Sequence, residues 1–301
     1  MQFRFVVHNL YIWAGSPRIY HPVSETAYAL PRKPCVNVAG IMHAFEEDTW
    51  MLGIYKAGLL ITVSLILIYA LQGFYPQFIG IFSNAFPLIV AGAAVVVSGL
   101  SLERYWRKAK GQFSIIWFYF TCGLLLWFIG ETVWAGYTLI LNIELPYPSI
   151  ADVFWIAGYI PFFIALYLYV KLFGGTLTKK MLASSMGITA ALTILVTSVL
   201  LTPVLTVEEN LTAAVMDFAY PILDLSLFSV ALLGLMIFWK GRLGKSWLFI
   251  NVAILMNACA DILFSWTTAQ EIYYSGHVLD LLFDLAYLSF LMAFYVHTKE
   301  F

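Results

Sequence analysis

From about Leu52 to Val296 the chain is a succession of long apolar runs separated by short polar hinges. A run of about 20 apolar residues is enough to cross a bilayer. Eight such runs can be traced: Leu52–Phe74, Phe78–Leu102, Phe113–Leu141, Pro148–Phe173, Met181–Pro203, Leu211–Trp239, Trp247–Gln270 and His277–His297. Each is expected to be helical, because lipid offers a backbone no hydrogen-bond partners. The runs are continuous rather than alternating, which argues against a β-barrel. Composition agrees: 62% of residues are hydrophobic and 11% charged, against about 25% charged in soluble domains. The expected fold is an all-α integral membrane protein of about eight transmembrane helices, with the lipid bilayer as its first partner.

The formal net charge of −1 leaves no basic surface for nucleic acid. Cys35, Cys122 and Cys259 form no spacing motif, so neither a disulfide framework nor a zinc site is expected. Cys122 and Cys259 lie within runs and read as packing residues. No mid-span lysine offers a retinal Schiff base, no histidine pair suits a transmembrane haem, and no phosphate loop, nucleophile elbow or zinc-protease motif is present. No cofactor is expected, and no enzyme. Residues 1–50 hold no apolar run long enough for a signal peptide. They read either as a disordered cytoplasmic tail or as an extension upstream of a true start at Met42.

Basic residues in short loops orient membrane proteins toward the cytoplasm. Here they fall in alternate hinges: Arg104, Arg107, Lys108 and Lys110 after the second run; Lys171, Lys179 and Lys180 after the fourth; Lys240, Arg242 and Lys245 after the sixth; and Lys299 at the end. The hinges between them carry no lysine or arginine. Both termini are therefore expected in the cytoplasm, in a plasma membrane. Asn210-Leu211-Thr212 spells a glycosylation sequon on the outer side, but it abuts a helix start and reads as a chance triplet.

The second half echoes the first. At an offset of 130, Trp117 meets Trp247, Leu125 meets Leu255 and Glu131 meets Asp261. At 128, Asp152 meets Asp280, Tyr159 meets Tyr287, Phe162 meets Phe290, Tyr167 meets Tyr295 and Lys171 meets Lys299. Phe86-Pro87 lines up with Tyr220-Pro221. The ordered recurrence of acid, acid and tyrosine suggests two similar four-helix halves, 51–175 and 176–301. An even-numbered unit gives both halves the same orientation, related by an axis along the membrane normal.

Ionisable residues within spans are costly and are functional candidates by default. Here they are nearly all acidic: Glu131, Asp152, Asp217, Asp224, Asp261, Asp280 and Asp284. With the expected orientation they fall in the outer half of the bilayer, Asp224 nearest its middle. One reading is structural. Ser149-Ile150-Ala151-Asp152 spells a capping box, and the helix dipole favours carboxylates at an N-terminus, which suits Asp217 and Asp280. Glu131 and Asp261, late in their spans, would instead need tyrosine, tryptophan, serine or asparagine partners. The other reading is an acidic pocket open to the outside. Aromatic residues near the acids, Trp134, Tyr159 and Tyr287 foremost, with Tyr137, Trp155, Tyr220, Trp266, Tyr273 and Tyr274, would add cation–π contacts. Aromatic residues also belong at membrane interfaces for their own sake. His277, Asp280 and Asp284 share a helix face, but a single histidine is a weak metal signal. Ala91, Gly92, Ala93 and Ala94 form a small-residue face for close helix contact.

The stretch Gly130-Glu131-Thr132-Val133-Trp134, followed by Pro146-Tyr147-Pro148-Ser149-Ile150-Ala151-Asp152-Val153-Phe154-Trp155-Ile156-Ala157-Gly158-Tyr159, resembles the multi-span membrane regions ahead of output domains in some prokaryotic histidine kinases and diguanylate cyclases. The clear match covers about 30 residues and has a fainter echo over residues 260–301. The resemblance implies an input module. The chain ends directly after its last run, where an output domain would begin, so a separate cytoplasmic or membrane signalling partner is expected. Three functions follow. The first is a non-enzymatic sensory or scaffold module whose pocket takes a small ligand or cation. The second is a secondary transporter using Glu131, Asp261 and Asp224, with helix breaks at Pro87 and Pro221. The third is an intramembrane lipid-acting enzyme, for which no nucleophile or metal set is found.

Overall fold

A computed structural model describes residues 38–108, 111–143, 147–207, 211–239, 241 and 243–300. Cys35, Lys110, Pro146, Asn210, Lys240 and Arg242 lie outside these residues, as does nearly all of the N-terminal stretch. The chain divides into two compact units, Met1–Glu46 and Glu47–Phe301. Only 38–46 of the first is described, and it is helical.

The described residues form eight long helices and no strand: α1 (Val38–Ala70), α2 (Pro76–Lys108), α3 (Gln112–Ala135), α4 (Ile150–Phe173), α5 (Lys179–Val207), α6 (Leu211–Phe238), α7 (Gly244–Ala269) and α8 (Asp280–Glu300). All eight are long and apolar enough to cross a membrane. Their outward faces carry large exposed side chains such as Leu60, Ile89, Ile160, Ile194 and Ile222. Water would not tolerate so continuous an apolar surface, whereas lipid does. The protein is thus built as a multi-pass membrane protein. α1 begins at Val38, inside the stretch that reads as a tail.

Six helices close a ring in the order α2, α3, α4, α6, α7, α8 and back to α2; α5 packs outside it on α6 and α7. Within the second unit, α1 is held to α8 by a hydrogen bond from Tyr69 to Asp284 and by Gly58 against Met292. The ring's interior is filled mainly by aromatic side chains, including Trp117, Phe120, Phe162, Trp247, Phe290 and Phe294. The small-residue face of α2 serves this packing: Ala91 and Ala94 are buried, and Gly92 receives the Phe128 ring.

Two expectations are corrected. α2 and α6 run unbroken through Pro87 and Pro221. Neither proline marks a helix break, and α4 likewise continues through Pro161. The irregular backbone lies elsewhere: α3 widens into a π-helical turn, Gly136–Leu141, which ends at Asn142 in the left-handed conformation. Asp217 is not a helix-start carboxylate either. α6 begins at Leu211 and has no acid in its first turn, and the dipole acts only over that turn.

Candidate functional site

At the end of the ring where α3 finishes and α4 begins, a cavity of about 100 Å³ opens between the helices. Every helix of the ring contributes: Asn84 from α2, Trp127, Glu131 and Trp134 from α3, Asp152, Trp155 and Tyr159 from α4, Tyr220 from α6, Asn257 and Asp261 from α7, and Asp280 and Tyr287 from α8. No lysine or arginine among the described residues lines it. Glu131 lies 19 residues into α3 (131 minus 112), about 28 Å along the axis. The cavity is therefore far from the Arg104–Arg107 end of the neighbouring α2.

The glycines of the Gly130-Glu131 and Gly158-Tyr159 pairs build the cavity walls. A Cβ on Gly158 would collide with the Trp127 indole, and one on Gly130 would meet Trp155 at 2.6 Å. Each helix thus seats the other's tryptophan on a residue without a side chain, which brings α3 and α4 close together. Trp127 Nε1 then donates to the Trp155 carbonyl at 2.9 Å. On α2, Asn84 Oδ1 accepts from Trp134 Nε1 at 2.8 Å and fixes that ring at the rim.

Every one of the seven acids accepts a hydrogen bond from a tyrosine, and six distinct tyrosines do this. Tyr287 donates to Glu131 at 2.7 Å, Tyr220 to Asp152 at 2.7 Å and Tyr147 to Asp217 at 2.8 Å. Tyr273 donates to Asp280 at 3.2 Å and Tyr69 to Asp284 at 2.9 Å. Tyr159 donates to Asp224 at 2.7 Å and lies 3.3 Å from Asp261. Asn257 Nδ2 supports the same pair, donating to Asp261 at 2.8 Å and to Asp224 at 3.3 Å. Polar groups sealed away from water require such partners.

Asp152 fills both roles the sequence offered. It completes the capping box, accepting from Ser149 N–H at 2.6 Å while Ala151 N–H donates to Ser149 Oγ at 3.2 Å, and it also lines the cavity. Asp280 likewise accepts from Gly276 N–H at 2.9 Å and faces the cavity. Asp217, Asp224 and Asp284 stand outside the walls. Asp217 touches them through Tyr147, and Asp224 through Tyr159 and Asn257; Asp284 turns away toward α1. Of the aromatic candidates, Trp134, Trp155, Tyr159, Tyr220, Tyr273 and Tyr287 line the cavity. Tyr137, Trp266 and Tyr274 do not, and the last two point outward.

In the loops beside the cavity, burial and the facing carboxylates Asp217 and Asp280 push the Tyr147 and Tyr273 hydroxyls well above the ordinary tyrosine range. Both therefore stay neutral and donate. Burial holds the His277 imidazole below its usual value. His277 Nδ1 accepts from Leu279 N–H, while Asp280 and Asp284 are taken up by Tyr273 and Tyr69, so the three do not converge. Among the described residues no group of three His, Cys, Asp or Glu side chains is placed to hold a metal.

Trp127, Asn84 and Asn257 are wall residues that the sequence reading passed over. Asn257 and Trp127 each precede an acid by one helical turn, Asp261 and Glu131. That spacing is the signal by which they could have been found. Comparison with protein-family models, curated proteins and solved structures found no match.

Proposed function

We propose that this protein is a non-enzymatic sensory or input module of a prokaryotic plasma membrane, with both termini cytoplasmic. The acidic, aromatic cavity faces outward and takes a small ligand or cation. A shift between two similar four-helix halves then reaches a cytoplasmic or membrane partner. The observation that carries the reading is the wall of that cavity: four carboxyl groups on α3, α4, α7 and α8, with no lysine or arginine among the described residues that line it. A cationic occupant completes such a site.

Reciprocal contacts support the paired halves. Tyr159 of the first half lies against Asp261 of the second, while Tyr287 of the second donates to Glu131 of the first. The matched rings Phe162 and Phe290 stack on each other at 5.6 Å. The residues at matched positions 169 and 297, Tyr169 and His297, are 2.9 Å apart, oxygen to Nε2. Residues related by a two-fold axis meet in this way when they lie on or across it. The basic hinges sit at the far end of the helices, which supports an outward-facing cavity. The transporter reading loses the support it drew from broken helices, since α2 and α6 are continuous through their prolines.

The test is a thermal-shift series in detergent across pH and added cations, with wild type beside a Glu131→Gln/Asp261→Asn variant. A response in the wild type that the variant lacks, at equal membrane insertion, is the expected result. Equal melting of the two forms under every condition overturns the reading.

A further inference from the structure

Asp224 on α6 and Asp261 on α7 share two donors, the Tyr159 hydroxyl and the Asn257 amide. Those donors draw the two carboxyl groups together: the Tyr159 oxygen is 2.7 Å from Asp224 and 3.3 Å from Asp261, and Asn257 Nδ2 is 3.3 Å and 2.8 Å from them. Asp224 is 1% exposed, and its Oδ2 is buried with no hydrogen-bond partner among the described residues. Asp261 is half-buried and forms part of the cavity wall. Two carboxylates that share the same two donors, one of them fully buried, with no lysine or arginine among the described residues lining the cavity, resist carrying charge together, so they hold one proton between them. A cation arriving beside Asp261 removes the need for that proton.

The surroundings select among cations. A metal ion collects several oxygen or nitrogen ligands, and the described residues hold no group of three suited to one. An ammonium group needs only one or two carboxylates and is drawn to aromatic faces. Trp127, Trp155, Tyr220 and Tyr287 supply those faces. The void is about 100 Å³, while a dry void of about 150 Å³ admits benzene. It suits a body of a few carbon atoms.

We propose that the cavity binds a small primary amine as its ammonium ion, with the nitrogen on Asp261 of the Asp224–Asp261 pair and the hydrocarbon against the indole and phenol rings. This rests on the ligand-pocket reading above. The balance is simple. The pair enters with one proton and one negative charge; the amine enters as a cation; the pair leaves doubly charged against the ammonium, and one proton goes to solvent. Other titratable groups facing the pair are Tyr159 and Asp152 on α4, Tyr220 on α6 and Tyr287 on α8, with Glu131 on α3 and Asp280 on α8 also in the cavity wall. The three tyrosines remain donors throughout, and Asp152 keeps its capping bonds.

The experiment uses the full chain in detergent at neutral pH. Probes are methylamine to butylamine and benzylamine, the alcohols of the same size, and the chlorides of sodium, potassium, magnesium and calcium. Melting temperature is read for each, and calorimetry in two buffers of different ionisation enthalpy counts protons. The expected result is stabilisation by one or more amines but not by the matching alcohols, with one proton released per amine bound. Asp224→Asn should weaken binding by about tenfold or more and abolish the release. Should that variant fail to fold, the proton count in the wild type decides alone. Equal stabilisation by alcohols or by metal chlorides, or binding without proton release, overturns the amine assignment and leaves the pocket standing. No stabilisation by any probe, with Glu131→Gln/Asp261→Asn melting as wild type, overturns both.

Discussion

Where α3 and α7 begin, Trp117, Tyr169, Trp247 and His297 close on one another. His297 packs on Trp117 at 4.9 Å, Tyr169 on Trp247 at 5.1 Å, and Trp247 sits on Gly234, where no Cβ would fit. Fourteen residues farther along α3, about 21 Å, the same helices surround Glu131 and an open cavity. One end is held by the volumes of rings, the other by hydrogen bonds between tyrosines and acids. Close packing resists any change of shape. A hydrogen-bonded wall beside a void can exchange one partner for another. The two ends therefore differ in what sets them: packing fixes the closed end, and exchangeable hydrogen bonds set the open one.

Truncation of one tryptophan at each end tests this division most severely. Trp247→Ala should cost about 3–5 kcal/mol, the usual price of an emptied aromatic site that cannot collapse. Trp134→Ala, at the rim of an existing void, should cost less than half as much. Thermal unfolding in detergent reads both, and comparable losses would erase the contrast. Removal of single hydroxyls gives a smaller effect with the same sign. Hydrogen bonds between membrane helices contribute on average about 0.6 kcal/mol, and at most about 1.7. Tyr169→Phe should approach the upper figure, because His297 is 3% exposed and ringed by aromatic side chains. Tyr287→Phe should fall at or below the mean, because water entering the cavity can donate to Glu131 instead.

The smallest effect concerns pH. The folded protein holds His277 below its ordinary value of 6.5, so the unfolded chain binds more protons there. Above about pH 6.5 the ring is neutral in both states and costs nothing; as pH drops below it, protonation favours the unfolded chain and stability falls. Replacing His277 with glutamine should flatten that part of the melting-temperature profile between pH 5 and 7. An unchanged slope would place the acid sensitivity elsewhere.

The spans and the acids were legible because each violates a strong rule: eight runs too apolar for water, and seven carboxyls too polar for lipid. The capping box at Ser149 and Asp152 was legible because its partners are three residues apart. Which tyrosine meets which membrane acid was not. Tyr69 and Asp284 lie 215 residues apart and Tyr287 and Glu131 156, and helical periodicity says nothing of which neighbour will face which. Pro87 and Pro221 misled for a related reason. A proline removes one backbone donor but does not by itself break a helix that its neighbours hold in place. Asp217 suggested a helix-start carboxylate although it lies six residues past Leu211, where the run and α6 both begin, and the dipole does not reach that far.

The tyrosines that reach these acids share one mechanical property. A phenol is a rigid strut with its only donor at the tip, so the backbone it springs from stands at a nearly fixed distance from the carboxyl it meets. Six such struts span from one helix or loop to another, and together they act as a set of gauges on the spacing at the open end. Spacing measured by struts does not drift; it changes when a strut lets go of one acid and takes another. A ring gauged in this way would change its spacing in discrete steps.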